Sequence, residues 1–430
     1  MANTTITRIK YRTIFDSRGV ETLEVDVFTE GGGRARCAGP FGAPGSRGEF
    51  EAPAYARDGI AGSIAILRDE LLPKLLGHDA ADQEGVDRLL QRVDGTPNFE
   101  RLGGNPSTVV SVACAQAAAD ALGHPLFELL GNPHTKPSLP YPLGNIIGGG
   151  AHSLGPAPDM QEHLVVPLGV ATVRQAIEVN LEVHELVGKL LEKRIPSFAG
   201  GTDDENAWVA DLDDVGAFEV VAEACAQVSA RQGVEVRMGL DAAADRLWDP
   251  RRRVYRYERE GRERTPEEQL DYLTSLVERF NMIYVEDGFH SNDYDAFAAL
   301  NARVGGRCLV CADDIYASNA GRTLVGIEKK SARAMILKTN QVGSVTGVRS
   351  TCLLAQQHGL FAVFSHRSGE TPDDSIAHLA VGLNALMLKT GVKGGERLAK
   401  LNELIRIEAD HPTIRLVPWN VFGKEACRAS

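Results

Sequence analysis

The fold is decided by one stretch of sequence, residues 308–338, which reads CLVCADDIYASNAGRTLVGIEKKSARAMILK. Two short apolar runs, 308–312 and 334–337, are each followed at once by a charged residue, Asp313 and Lys338. The residues between them have helical periodicity. A buried strand, a helix and two short loops need roughly 25 residues, which fits this segment. It therefore predicts one β/α unit with an ionisable side chain at the end of each strand.

The same arrangement recurs on either side of this unit. Other apolar runs end at Asp241, Glu286, His366 and Lys389, most of them at a similar spacing. Repeated β/α units close most naturally into a barrel, whose strands all end at one rim. Buried ionisable groups at that rim are costly unless they bind a ligand or pair with one another. We therefore expect a catalytic rim, with a plain salt-bridge network as the alternative.

The N-terminal part of the chain is organised differently. From Ile6 to Ala38 the apolar residues alternate with period two, which predicts a small antiparallel meander, and helical periods follow. Prolines crowd residues 133–142 and indicate a boundary. The predicted fold is α/β, with an N-terminal α+β domain over residues 1–136 and a barrel over residues 137–430. Among the barrel helices we expect a capping box at 265–268 and caps at Ser318 and Ser344.

Composition excludes several classes of protein. The chain has 430 residues, 43% hydrophobic and 24% charged, which is ordinary for a globular protein. Its 46 basic and 58 acidic side chains give a net charge of −12, which disfavours nucleic-acid and anionic-membrane partners. The sequence has no long apolar run and no apolar core near its start, so we expect a cytoplasmic protein. The CxxC pair Cys308 and Cys311 is expected to pack in a buried strand and not to bind zinc.

The predicted rim residues indicate metal chemistry. Asp241, Glu286 and Asp313 are oxygen ligands from three successive strand ends, a set that selects Mg²⁺ or Mn²⁺. The adjacent Asp287 and Asp314 are expected to orient their neighbours and not to bind metal.

Cationic groups follow the acidic ones along the chain. A nearby divalent ion and partial desolvation are expected to lower the pKa of Lys338 and make it a general base. The alternative is a charge partner for Asp313 or Asp314, and the two roles can coexist. The segment SHRSGET, 365–371, suits a phosphate, because Arg367 and the hydroxyls donate hydrogen bonds. Lys389 can hold a second anionic group, such as a carboxylate.

Several long motifs make the chain resemble the enolase (phosphopyruvate hydratase) family from end to end. They are FDSRGVETLEV, DMQEHLVVPLG, GLDAAAD, VEDGF, CADDIYASN, ILKTNQVGS, SHRSGET, LKTG and ERLAKLNELIRIE. The resemblance implies an enolase-type variant TIM barrel, which opens with two strands and two helices before its β/α units. It also implies a homodimer whose contacts include Arg12, Glu24 and Arg406.

The resemblance also implies roles at the site. Lys338 matches the base that removes the proton beside the substrate carboxylate, and Glu205 matches the acid that protonates the departing hydroxyl. The remaining matches are the Mg²⁺ ligands Asp241, Glu286 and Asp313, the phosphate-side residues His366, Arg367 and Ser368, Lys389 towards the substrate carboxylate, and the pocket residues His152, Gln161 and Glu162, of which Glu162 supports the acid.

The chain departs from the family pattern around the lids. Phe41 replaces the first lid serine, and Pro44 falls where a second serine would help bind a second Mg²⁺. Asn206 and Ala207 replace a glycine pair beside the acid, which reduces flexibility where a positive φ is needed. The expected reaction is dehydration of 2-phosphoglycerate. The runner-up is a specialised paralogue that forms carboxyphosphonoenolpyruvate in phosphonate biosynthesis, ahead of a non-catalytic binding protein and a sugar-acid dehydratase.

Overall fold

The N-terminal part contains the predicted antiparallel meander. A computed structural model gives the fold and describes residues 3–42, 50–132, 134–153 and 155–422, so Pro44 lies outside the described residues. Strands β1 (Ile6–Phe15), β2 (Glu21–Thr29) and β3 (Arg34–Ala38) form an antiparallel sheet in the order β1-β2-β3. Alternate residues of β2, Leu23, Val25 and Val27, are fully buried, which confirms the period-two prediction.

Helices follow the meander, as the α+β prediction requires. They are α1 (Gly59–Ile66), a π-helical turn (Leu67–Leu71), α2 (Leu72–Leu75), α3 (Gln83–Asp94), α4 (Gly104–Leu122) and α5 (Leu126–Leu130). The alanine-rich α4 packs on β2 and β3 and is almost entirely buried. It also reaches the barrel, where the Thr108 hydroxyl donates to the carbonyl oxygen of Thr339 at 3.2 Å. The N-terminal domain therefore backs part of the barrel rim.

The remainder of the chain forms the barrel. Its strands are β4 (Tyr141–Gly148), β5 (Glu162–Leu168), β6 (Glu235–Asp241), β10 (Tyr284–Glu286), β11 (Leu309–Ala312), β12 (Ala334–Leu337), β13 (Phe361–Ser365) and β14 (Met387–Gly391), with a small separate sheet of β7 (Trp248–Asp249), β8 (Val254–Tyr257) and β9 (Arg262–Arg264). In the barrel β5 runs antiparallel to β4 and β6, whereas the other neighbouring strands are parallel.

The helices of the barrel alternate with its later strands. They are α6 (Val173–Arg194), α7 (Asp214–Gln232), α8 (Pro266–Arg279), α9 (Tyr294–Val304), α10 (Ala320–Lys329), α11 (Thr339–Val342), α12 (Val345–Gln357), α13 (Ser375–Gly382) and α14 (Gly395–Asp410), with a 3₁₀ turn at Gly150–His152. The order β4, β5, α6, α7 confirms the opening of two strands and two helices. The division of the chain after residue 136 stays a prediction.

The predicted helix caps are correct in two cases out of three. Thr265 and Glu268 form the capping box of α8, and the Ser344 hydroxyl accepts the N–H of Gly347 in α12. The prediction of a cap at Ser318 is wrong. The neighbouring Asn319 caps α10, because its side chain accepts the N–H groups of Gly321 and Arg322. The Ser318 hydroxyl instead accepts the N–H of Lys338 at 2.9 Å.

Two further expectations concern burial and membranes. Cys308 and Cys311 are fully buried free thiols, which confirms packing in the core. None of the helices in the described parts of the chain combines the length and apolar composition that a bilayer span needs.

Candidate active site

One cavity at the carboxyl-terminal rim of the barrel gathers nearly all the predicted site residues. Its volume is about 310 Å³. The predicted residues that line it are His152, Gln161, Glu162, Glu205, Asp241, Asp313, Lys338, His366, Arg367, Ser368 and Lys389. Glu286 does not line the cavity but contacts Lys389, which does.

A buried ammonium group joins three carboxylates on one side of the cavity. Strand register places Asp241 beside both Glu162 and Glu286. The side chain of Lys389 crosses the barrel, and its Nζ donates to Asp241 Oδ2 at 2.7 Å and Glu286 Oε1 at 2.8 Å, and lies 3.2 Å from Glu162 Oε1. Burial, reinforced by Asp241, raises the pKa of Glu286 well above its usual range. The cluster therefore holds more carboxylates than cations.

A second cluster surrounds Lys338, which pairs with Asp313 through Nζ and Oδ2. Burial acts to lower the pKa of Lys338, but the charges of Asp313 and Asp314 together raise it above its usual value. The charge-partner alternative therefore describes Lys338 among the protein's own groups, and the lowered pKa expected beside a divalent ion stays a prediction. The Asp287 carboxylate accepts the N–H groups of Asp313 at 2.9 Å and Asp314 at 2.8 Å. Asp287 thus orients its neighbours, as the sequence predicted.

The oxygen donors of the rim suit a hard divalent cation. Ligand atoms of Asp287, Asp313 and Asp314 lie within 4.8 Å of one another. The other two predicted metal ligands, Asp241 and Glu286, both contact Lys389. Asp313 Oδ1 is buried and has no hydrogen-bond partner among the described residues. Burial and the neighbouring Asp314 raise the pKa of Asp287 well above its usual range. A divalent ion would satisfy the free oxygen and relieve the excess negative charge.

Glu205 forms the opposite pole of the cavity together with two histidines. It is buried, accepts from Asn145 Nδ2 at 3.2 Å, and lies 3.2 Å from His366 Nε2 and 3.8 Å from His152 Nε2. Burial alone would raise the pKa of Glu205, but His366 and His152 lower it well below its usual range. Burial also opposes protonation of His152, yet Glu205 and the Asp204 hydrogen bond raise its pKa to about 10. Glu205 is therefore a carboxylate facing a charged His152.

The turn that carries Glu205 has replaced its glycines with a different support. Asp203 Oδ1 accepts the N–H groups of Glu205 at 2.8 Å and Ala207 at 2.9 Å. The positive φ that the sequence analysis anticipated occurs at Asn206, at 65°. Asn tolerates this conformation better than most residues, so the turn forms without glycine. The supporting role of Asp203 was not predicted from the sequence. An Asp whose side chain accepts the backbone N–H two residues further on is, however, a recognised turn motif.

The segment 365–371, which is expected to bind phosphate, contacts residues of both domains. Arg367 Nη1 donates to Asn340 Oδ1 at 3.0 Å and lies beside Glu51 at 3.6 Å. Gly369 pairs with Phe41 through two backbone hydrogen bonds of 2.7 and 2.8 Å. A Cβ at Gly369 would collide with the side-chain ends of Asp16 and Arg18, so a larger residue would have to displace them. No feature of the sequence indicated these supports from the N-terminal domain.

Two buried cations on α14 are a further feature that the sequence did not predict: Arg397 and Lys400 are 0% and 1% exposed. Both bond to the loop 366–371. Their signal in the sequence is weak, because a charged residue on a helix usually faces solvent.

Comparison with known proteins identifies the family. The family sequence model described as "Enolase, N-terminal domain" matches residues 6–130, and "Enolase, C-terminal TIM barrel domain" matches residues 136–414. The chain belongs to the enolase family. The predicted fold, an N-terminal domain followed by an enolase-type TIM barrel, is confirmed, and the protein is a lyase of the phosphopyruvate hydratase type.

Curated relatives named "Enolase" match almost the whole chain. The protein from Methanothermobacter thermautotrophicus is 45% identical over 408 residues, which cover 95% of this chain and 97% of the relative. The protein from Natronomonas pharaonis is 44% identical over 409 residues, covering 95% and 100%. The protein from Halorubrum lacusprofundi is 43% identical over 408 residues, covering 95% and 99%. Both domains of the enolase family are therefore represented along the chain.

Proposed function

We propose that the protein catalyses the Mg²⁺-dependent elimination of water from 2-phosphoglycerate to give phosphoenolpyruvate. One observation carries the proposal: Lys338 and Glu205, a candidate base and a candidate acid, face a single small cavity from different elements, with Arg367 and Ser368 on its wall. Elimination needs a group that takes the proton beside the carboxylate and another that protonates the leaving hydroxyl. The named enolase relatives support the same reaction.

The proton leaves the carbon beside the substrate carboxylate for Nζ of Lys338. This step needs a neutral amine, whereas Lys338 is held as an ammonium by Asp313. Asp241, Glu286 and Asp313 are the residues that would hold Mg²⁺. When bound, this ion supplies positive charge that stabilises the negative charge developing on the substrate. Lys338 can act as the base once a positive charge other than its own ammonium pairs with Asp313.

The hydroxyl leaves with a proton supplied by Glu205. Because His366 and His152 hold Glu205 as a carboxylate, it must first receive a proton. His152 is the charged donor beside it, with Nε2 3.8 Å from Glu205 Oε1. We assign His152 to this delivery and Glu162 to electrostatic support of the acid, since burial raises the pKa of Glu162 to about 8.

Substrate binding falls to the remaining side chains of the cavity. Arg367 and Ser368, with His366 beside them, hold the phosphate, because a guanidinium can donate two parallel hydrogen bonds to it. Lys389 faces the substrate carboxylate, and Gln161 completes the wall. Buried cations bind such anions strongly because little water competes with them.

We also propose that the protein is cytoplasmic, a homodimer, and divided into domains after residue 136. Arg12 pairs with Glu24 and Asp26 within the chain, and Arg406 pairs with Glu403. These three predicted contact residues thus lie in charged clusters that a second copy can share. Light scattering on the purified protein tests this proposal, and a monomer mass would contradict the dimer.

The test of activity is direct. Purified protein is incubated with 2-phosphoglycerate and Mg²⁺, and phosphoenolpyruvate is followed by its ultraviolet absorbance. We expect turnover that EDTA abolishes and that Lys338→Met lowers by roughly 10²- to 10⁴-fold. Lys329→Met, an exposed lysine paired with Asp295, is the matched control and should keep the wild-type rate.

Two outcomes would contradict the proposed reaction. Failure on 2-phosphoglycerate, with Mg²⁺-dependent turnover of a phosphonate analogue, would assign the specialised paralogue. Failure on both substrates would favour a non-catalytic protein.

A further inference from the structure

Arg397 has the largest side chain among the fully buried residues described, and it is bonded to both sides of the candidate site. Its Nη1 donates to His366 Nδ1 at 2.8 Å and to the carbonyl oxygen of Arg367 at 2.6 Å. Its Nη2 donates to the carbonyl oxygens of Ser368 at 2.6 Å and Asp204 at 3.1 Å. One guanidinium therefore spans the loop proposed for phosphate and the turn that carries the proposed acid.

The contact with His366 determines which imidazole nitrogen carries the proton. Arginine has no acceptor atom, so His366 Nδ1 must offer its lone pair to Nη1. The N–H of Gly391 approaches the same nitrogen at 3.4 Å. A neutral His366 must then carry its proton on Nε2, the atom that lies 3.2 Å from Glu205 Oε2. Burial lowers the pKa of His366 to about 4, against the opposing pull of Glu205, which is consistent with a neutral ring.

Close packing keeps these groups in register. A Cβ added to Gly391 would lie 2.4 Å from the carbonyl oxygen of Glu205 and 3.2 Å from Arg397 Cγ. The backbone of Glu205 and the stem of Arg397 thus meet at the one residue type that leaves room for both. Arg397 does not line the cavity and so cannot touch a substrate there.

We propose that Arg397 is a positioning residue, which fixes His366 as the Nε2–H tautomer and ties the turn of Glu205 to the loop of Arg367 and Ser368. The inference rests on the proposed function, because it assigns the support of that same site. Partners that orient a metal-bound imidazole typically change activity by roughly 10- to 100-fold when removed, and we expect an effect of the same scale here.

Lys400 provides the comparison that separates positioning from burial. It lies one turn further along α14 and is 1% exposed, and its Nζ donates to the carbonyl oxygen of Thr371 and pairs with Glu370, each at 2.7 Å. It therefore shares the buried charge and the loop with Arg397 but has no contact with His366 among those described. If only the loss of a buried cation mattered, replacing Arg397 and replacing Lys400 would have the same effect.

The test uses the full-length protein with ¹⁵N-labelled histidines in EDTA, with the His366 signals assigned by their loss in His366→Gln. In the wild-type protein we expect the Nε2–H pattern. In Arg397→Met we expect a shift towards the Nδ1–H tautomer, and a roughly 10- to 100-fold lower kcat for 2-phosphoglycerate. In Lys400→Met the His366 pattern should be unchanged.

An Nδ1–H or doubly protonated His366 in the wild-type protein would overturn the proposal, even if Arg397→Met does not fold. So would an equal change of tautomer in Lys400→Met, or an unchanged tautomer in Arg397→Met. The expected spectra in a protein that does not turn over 2-phosphoglycerate would support the positioning of His366 and overturn the proposed function.

Discussion

Removal of the Asp287 carboxylate tests how the rim is held in shape. Its two oxygens accept the N–H groups of Asp313 and Asp314, at 2.9 and 2.8 Å. An amide left unpaired in the interior costs about 1–3 kcal/mol, so Asp287→Ala loses about 2–6 kcal/mol of unfolding free energy. Burial and the repulsion from Asp314 and Asp313 raise the pKa of Asp287, and the deletion relieves that burden. We therefore expect a net loss at the lower end, about 2 kcal/mol.

The assay is denaturant unfolding in EDTA, followed by tryptophan fluorescence. Asp287→Asn keeps one acceptor oxygen but presents a donor to the other amide, so we expect it to lose about 1 kcal/mol. Asp295→Ala, an exposed carboxylate paired with Lys329, is the matched control and should change stability by less than about 0.5 kcal/mol. If Asp287→Ala is as stable as the wild-type protein or more stable, the reasoning is refuted. The cost of burying the carboxylate would then equal or exceed the stabilisation from its two hydrogen bonds.

Three further perturbations probe other parts of the molecule. Mg²⁺ at a hundred times its Kd should add about 2.7 kcal/mol to the unfolding free energy, seen as a higher Tm than in EDTA, and Asp241→Asn should remove most of the gain. Burial raises the pKa of Asp214 to about 8, and its Oδ2 is unpartnered among the described residues. The folded state therefore keeps a proton that the unfolded chain releases above about pH 4, so stability falls as pH rises from about 4 to 8. Asp214→Asn should remove that part of the decline in thermal melts, and parallel pH curves would contradict the assignment. Gly391→Ala places a Cβ 2.4 Å from the carbonyl oxygen of Glu205 and should cost about 1–3 kcal/mol, with slower phosphoenolpyruvate formation; an unchanged Tm would contradict it.

The sequence predicted the barrel because strand burial and strand ends leave a local record. A parallel strand is buried on both faces and reads as a short apolar run, and the polar residue that follows must lie at the rim. Asp313 and Lys338 could therefore be placed without any knowledge of their contacts. The same logic gave the meander, where one buried face produces strict alternation.

Pairings between distant strand ends left no such record. Lys389 bonds to residues 148 and 103 positions away, and only closure of the barrel brings them together. Arg397 resembles an ordinary exposed helix residue in the sequence, because periodicity cannot distinguish a buried cation from a solvated one. The cap at Asn319 was assigned to Ser318 because both residue types favour this position and differ by one residue, within the usual uncertainty of a helix boundary.

The raised pKa of Lys338 has a physical cause that also organises the site. In the structure the ammonium groups of Lys338 and Lys389 act as counter-ions for carboxylates that a divalent cation would share. An ammonium paired with Asp313 cannot take up a further proton. Lys338 therefore releases its proton readily only when another positive charge pairs with Asp313, so proton release by Lys338 and cation binding at the rim are coupled equilibria. The excess of buried carboxylates favours both states, because the surplus negative charge stabilises either the protonated Lys338 or a bound cation.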